Sequence, residues 1–331
     1  MAERTVRVRD MADEWMEEVE GYIDFFSSHP FGGTQVGDVL DDAAATRGKM
    51  VRPRLLLLAG EFGPEYETAR DRLCKLAAMV ELTHMASLIH DDIVDEAPCR
   101  RGSPSMQAKY GKDAAVYAGD FLMSRISYHI AREELNRSGA VLAKTVEEMC
   151  AGEIGQALCR YREDVSVQDY LRNIHGTTAA RFMAACRMGA MESGCDAATV
   201  RTLELFGECL GILFQLRDDL LDFTSDLLTI GKAVHKDFQD GIYTMPVLCA
   251  LEQPGGREAL LPLMRANAAG GLTAEEIHRM ERLVVELGGV EATRQEIRNR
   301  QTCAERLLLS SLPHNGASLL LLAMVRKLGA V

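Results

Sequence analysis

Two short stretches carry acids at a spacing that suits metal chemistry. Residues 87–102 read SLIHDDIVDEAPCRRG, with Asp91, Asp92 and Asp95 in an apolar helical run and Arg100 and Arg101 behind them. On a helix, positions four apart share a face, so Asp91 and Asp95 point the same way and repel each other. A hard cation such as magnesium reverses that sign, because one or two carboxylates are the ligands it accepts. The arginines supply forked donors that match phosphate oxygens. Residues 215–222, QLRDDLLD, repeat the acid pattern with Asp218, Asp219 and Asp222.

A run of acids usually marks a solvated helix face. Here both triplets lie in apolar flanks, where acids are rarely left without a partner. Two such triplets facing each other across a helix bundle would hold several cations. Lys49, Arg52, Arg100, Arg101 and Lys232 each sit beside a glycine, a proline or an acid cluster. Singly each reads as surface charge. Together with metals they read as a site for two diphosphates.

Helical periodicity supplies the elements that must position these groups. It predicts helices over 9–27 and 37–45, and a leucine-rich helix opened by Arg52-Pro53, since proline suits a first turn. A long helix over 66–96 carries the first triplet and stops before Pro98. Helices over 113–134, 139–162, 167–192 and 197–224 follow, the last carrying the second triplet. Gly176 falls inside one of them as a point of bending. Past a polar stretch to Asp240 come helices near 241–252, 257–267, 273–287, 291–311 and 316–328. Ser166–Asp169 and Thr273–Glu276 are spaced as helix-capping pairs. Period-two strands are absent. The expectation is one all-α domain over 1–331, a large bundle of long helices.

Composition narrows the partners. At 331 residues and a net charge of −12, the chain does not suit nucleic acid or anionic lipid surfaces. No apolar window approaches the ~18 residues of a membrane span, and the N-terminus lacks a secretory core. Nine scattered cysteines without a Cys-x-x-Cys pair disfavour structural zinc and a disulfide framework. A reduced, cytoplasmic setting is expected.

From about Gly48 onward the chain resembles the trans-isoprenyl diphosphate synthase, or polyprenyl synthetase, family. The likeness rests on Gly48-Lys49-x-x-Arg52-Pro53, on Asp91-Asp92-x-x-Asp95 with Arg100-Arg101-Gly102, and on Gly119-Asp120-Phe121-Leu122. It extends to Gly152-Glu153-x-x-Gln156, to Gln215 through Asp222, and to Gly231-Lys232, Asp237, Gly241 and Thr244-Met245-Pro246. The resemblance implies the isoprenoid synthase fold, a helical bundle around a central cavity, and a magnesium-dependent prenyltransferase with three ions per site. Asp91, Asp95 and Asp218 would ligate magnesium, with Asp92, Asp219 and Asp222 assisting. Arg100 and Lys232 would hold the allylic diphosphate; Lys49, Arg52, His84 and Arg101 would hold isopentenyl diphosphate. Gln215 and Thr178 would stand beside the allylic group.

The segment before Asp91 is similar to long-chain members, such as the catalytic subunits of heptaprenyl synthases. Thr83, Ala86 and Ser87 are small and would leave a product tunnel open, although small residues also simply allow close helix packing. The implied product is a long-chain all-trans polyprenyl diphosphate. The alternatives are a farnesyl or geranylgeranyl synthase, a terpene cyclase, and a partner-dependent or regulatory subunit. Homodimers are typical of the family, and some members add a small unlike subunit. This chain departs from the family at Thr177 and Ile242, where lysines are common, at His235, where glycine is common, and at Met50, where arginine is common. Loss of both lysines predicts a weaker hold on the allylic diphosphate. Thr177→Lys should therefore lower the allylic Michaelis constant; an unchanged value in steady-state kinetics removes this account.

Overall fold

The computed structural model describes residues 11–45, 47–224 and 235–331. The described residues form sixteen α-helices, one π-helical turn and two strands of two residues each. By internal contacts the chain falls into two compact units. The first comprises residues up to Ala143 with Ala184–Leu203 and Asn315–Ala317; the second comprises Lys144–Met183, Glu204–His314 and Ser318–Val331.

In the first unit α4 (Arg70–Val94) is packed by α1 (Met11–Ser27), α3 (Val51–Gly60) and α6 (Lys112–Arg132). Its apolar residues run all round the helix, and Leu73, Ala77, Met79, Leu82 and Ala86 are fully buried. A helix apolar on every side must be covered on every side. α2 (Gln35–Ala45) lies before a corner at Met50, whose φ of 52° is left-handed. The predicted helix over 66–96 begins only at Arg70, because residues 61–69 turn and dock, with Glu65 N–H donating to the Ser193 carbonyl at 2.9 Å. It ends at Val94, with Glu96 in the left-handed region at φ 49°.

A hairpin follows that strand periodicity could not reveal, since each strand has two residues. β1 (Cys99–Arg100) pairs antiparallel with β2 (Ser103–Pro104). Arg101 and Gly102 make its turn at φ 52° and 82°. Positive φ at both central positions is what a tight two-residue hairpin demands, and the glycine takes one at no steric cost. Ser105 then caps α5 (Met106–Tyr110).

The second unit holds α7 (Asn136–Cys159) from Lys144 onward, α8 (Val167–Ile174), a π turn (His175–Ala179) and the start of α9 (Ala180–Glu192). It also holds α10 (Ala197–Thr224) from Glu204, then α11 (Lys236–Gln239), α12 (Met245–Leu251), α13 (Gly256–Gly270), α14 (Ala274–Glu286), α15 (Gly289–Ser311) and α16 (Gly316–Gly329) from Ser318. α12 is buried along its length and packs chiefly on α15. Both expected capping pairs form reciprocal boxes, Ser166 with Asp169 and Thr273 with Glu276.

The single helix predicted over 167–192 is instead broken by the π turn at Gly176. The cause lies in two glycines. A Cβ on Gly152 of α7 would stand 2.7 Å from the Thr177 nitrogen, and one on Gly176 would stand 2.4 Å from the Glu148 carbonyl oxygen. Backbone thus meets backbone, and no side chain fits. Gly152→Ala should cost about 1–3 kcal/mol of stability by overpacking. A thermal unfolding midpoint equal to that of the unaltered protein contradicts this contact.

Candidate active site

In the first unit the acid triplet occupies the last turn of α4. Asp91 is half-buried and Asp95 is exposed, while Asp92 is buried at 3% exposure. The hairpin brings Arg100 back onto Asp92: Nε donates to Oδ1 at 2.9 Å, and a second guanidinium nitrogen donates to the same oxygen. The carboxylate raises the Arg100 pKa further above its ordinary value, and a buried charge pair of this kind is held by both partners. Ala97 ties the turn down, its N–H donating to the Asp92 carbonyl and its own carbonyl accepting from Gln107 at 2.8 Å.

Arg101 takes a different direction. A Cβ on Gly48 would come within 2.7 Å of a guanidinium nitrogen of Arg101. The guanidinium therefore lies over the bare backbone of Gly48; exposed Lys49 is the next residue, and half-buried Arg52 lies in the first turn of α3. This joins the two basic stretches into one cationic corner. His84 stands on α4 two turns before Asp91 and is half-buried. His90 is not a ligand to the acids: its Nε2 lies 3.3 Å from the Val116 carbonyl and 3.5 Å from Asp120. A Cβ at Gly119 would meet that ring nitrogen at 2.3 Å, so the Gly119-Asp120 signature makes room for an imidazole.

Of the chain-length candidates, Ala86 is fully enclosed and Thr83 nearly so, its hydroxyl donating to the Met79 carbonyl at 2.8 Å. Ser87 is half-buried and donates to the His84 carbonyl at 2.9 Å.

The second unit repeats the pattern of the first triplet. Asp218 is exposed, Asp222 is half-buried, and Asp219 is buried at 4% exposure. Asp219 accepts from the Tyr170 hydroxyl and, at 2.8 Å, from Gln215 Nε2. Gln215 Oε1 in turn accepts from the Thr178 hydroxyl at 2.8 Å. One chain of hydrogen bonds thus runs Thr178, Gln215, Asp219, Tyr170, and it fixes the orientation of the Gln215 amide. Burial pushes the Asp219 carboxyl up to about 7, against the opposing pull of the Tyr170 and Gln215 donors. Burial, then the Asp219 charge, pushes the Tyr170 phenol well above its ordinary value.

Thr177 and Thr178 are buried in the π turn. A cation stands at this segment, because the Arg181 guanidinium donates to the Thr177 carbonyl. Neither Tyr170 nor Arg181 is singled out by local pattern; Tyr170 meets an acid 49 residues away in the chain. Lys232 lies outside the described residues.

Among the described residues no three His, Cys, Asp or Glu side chains converge to enclose a metal. An open pair of carboxylates one turn apart, Asp91 with Asp95 or Asp218 with Asp222, fits magnesium, which keeps several waters and binds through one or two carboxylates plus phosphates.

These acids, the cationic corner and the helical architecture agree with what similarity shows. The sequence profile of the polyprenyl synthetase family matches residues 34–280, and the chain belongs to that family. It is 41% identical over 213 residues to heptaprenyl diphosphate synthase component 2 of Geobacillus stearothermophilus, covering 64% of this chain and 66% of that protein. It is 37% identical over 213 residues to the component 2 of Bacillus subtilis, covering 64% of this chain and 60% of that one. The matches thus span 66% and 60% of these relatives, less than two thirds of either. A crystal structure of a polyprenyl synthase from Caulobacter crescentus, complexed with calcium and isoprenyl diphosphate, superposes with a TM-score of 0.86 at 28% identity, covering 97% of this chain and 96% of that one. The fold is the all-α isoprenoid synthase fold, and no helix among the described residues is long and apolar enough to cross a membrane.

The raised Asp219 pKa has a consequence for stability. A carboxyl whose folded pKa lies above its unfolded value favours folding most at low pH, and that contribution fades as pH rises through about 7. Tyr170→Phe removes a donor that only the ionised carboxylate needs. In metal-free protein it should cost about 1–3 kcal/mol at pH 8.5 and clearly less at pH 5.5. Equal losses in denaturant unfolding at the two pH values contradict the arrangement.

Proposed function

We propose that this chain is a prenyltransferase that condenses an allylic diphosphate with isopentenyl diphosphate to make a long-chain all-trans polyprenyl diphosphate. The observation that carries the reading is the division of labour in each acid triplet. The middle aspartate is buried and accepts from protein donors, and the outer two are half-buried or exposed on the same helix face. Magnesium, three ions per site in this reading, would supply charge neutralisation of the allylic diphosphate as its carbon–oxygen bond ionises. Asp91, Asp95, Asp218 and Asp222 would hold it. Asp92 and Asp219 keep the two motifs in shape.

Arg100 and Lys232 bind the allylic diphosphate. The corner of Lys49, Arg52 and Arg101, with His84, binds the diphosphate of isopentenyl diphosphate. The oriented dipoles of Gln215 and Thr178 steady the allylic cation, which the isopentenyl double bond attacks. A proton then leaves to the released diphosphate, and the product is five carbons longer. The enclosure of α4 residues 82–86 keeps water from the cation. A second anion corner favours two diphosphates over the one that a terpene cyclase needs.

A cytoplasmic homodimer is the assembly we propose. A further reading, a catalytic component that works with a small unlike subunit, draws on the word "component" in the names of two relatives and on Thr177 in place of lysine.

Purified full-length protein, magnesium, labelled isopentenyl diphosphate and allylic primers of three lengths provide the test, with products sized by chromatography. Magnesium-dependent products longer than twenty carbons are expected, and Ala86→Phe should shorten them. Failure to incorporate label with any of the primers rejects an independent synthase, and an unchanged length distribution in the variant removes Ala86 from the tunnel.

A further inference from the structure

His235 opens α11, and its surroundings are unusual. The imidazole is 1% exposed, and among the described residues neither ring nitrogen has a hydrogen-bond partner. Buried polar groups are almost always satisfied, so an orphaned pair of nitrogens calls for an explanation. Each nitrogen faces a carboxylate. Nδ1 lies 3.4 Å from Asp222 Oδ2, and Nε2 lies 3.6 Å from Glu281 Oε2. Both gaps exceed the usual ~2.9 Å of an N–H···O bond by well under one ångström. The ring rests against Phe223, with centroids 4.7 Å apart, which blocks it from turning away.

The backbone adds a second observation. His235 has φ 53°, a left-handed conformation that glycine takes freely and other residues take only under strain. A strained, buried, polar side chain at a position suited to glycine gains nothing from packing that an apolar residue would not supply. Its distinguishing property is the ability to address two carboxylates at once, one on α10 and one on α14.

We propose that His235 is a positioning residue for Asp222. Its Nδ1 edge holds the Asp222 carboxylate at one rotamer, and Glu281 braces the imidazole from behind. Asp222 stands in the last full turn of α10, with its Oδ2 toward the His235 ring. A carboxylate held in one orientation binds a cation more tightly than one that must be ordered on binding, and groups behind a metal ligand typically tune affinity in this way. The proposal rests on the reading of Asp222 as a magnesium ligand.

Direct titration of full-length protein with manganese, followed by electron paramagnetic resonance in the presence of inorganic diphosphate, reads the effect without turnover. His235→Gly should weaken manganese binding about tenfold, within the usual range for partners behind a metal ligand. Its thermal midpoint should stay the same or rise, because glycine accepts φ 53° without strain. His235→Asn places an amide N–H near the Nδ1 position and should recover most of the affinity. In the Asp222→Ala background His235→Gly should add nothing. Equal manganese binding by the unaltered protein and His235→Gly overturns the positioning role while leaving the enzyme reading intact; so does an additive loss in the double variant. Unaltered protein that neither binds manganese nor forms product overturns the functional reading beneath it.

Discussion

A carboxylate with 4% exposure cannot stay inside a helical unit without donors, and Asp219 draws them from two helices. Satisfying it places Tyr170 of α8 and Gln215 of α10 on the same group. Gln215 then has one orientation open to it, with its carbonyl toward Thr178. The cost of an unsatisfied buried charge is therefore what aligns an amide and a hydroxyl for any cation that forms beside them. Asp92 imposes the same condition on the first unit, where it is met by folding a hairpin back so that Arg100 reaches it. In both places a buried acid draws protein donors toward the turn that carries the other two.

Close backbone approach is the second device. Gly152 and Gly176 let α7 lie against the π turn, and Gly48 lets the Arg101 guanidinium lie on the main chain. Each replaces a side chain by space, so a functional group can sit nearer than a Cβ would permit. Glycines in the signatures of such chains are thereby contact surfaces rather than loose joints.

Much of this was legible from spacing. Acids at i, i+1 and i+4 put the first and last on one helix face; that the middle one is buried depends on the tertiary fold. Helix positions followed from periodicity, and both capping boxes from their end residues. What escaped did so for physical reasons. The hairpin at Cys99–Pro104 is too short to show alternation, and its only mark is the Arg101-Gly102 turn. Tyr170 and Arg181 act through tertiary contacts that no local pattern encodes. The interruption of the helix over 167–192 depends on Gly152, which lies in another helix. His235 stood out as a departure, but its two carboxylate neighbours come from distant stretches.

The π turn also settles a matter of angular phase. In an uninterrupted α-helix, at ~100° per residue, the step from Tyr170 to Thr178 would leave the second side chain ~80° past the direction of the first. Their partners, Asp219 and Gln215, sit one turn apart on a single face of α10. A wider turn winds more residues into each revolution and gives back part of that excess rotation. Regular winding of the same eight steps would leave Thr178 ~80° out of line with Gln215. The irregularity is thus the gearing that lets one helix meet another at two points along its length.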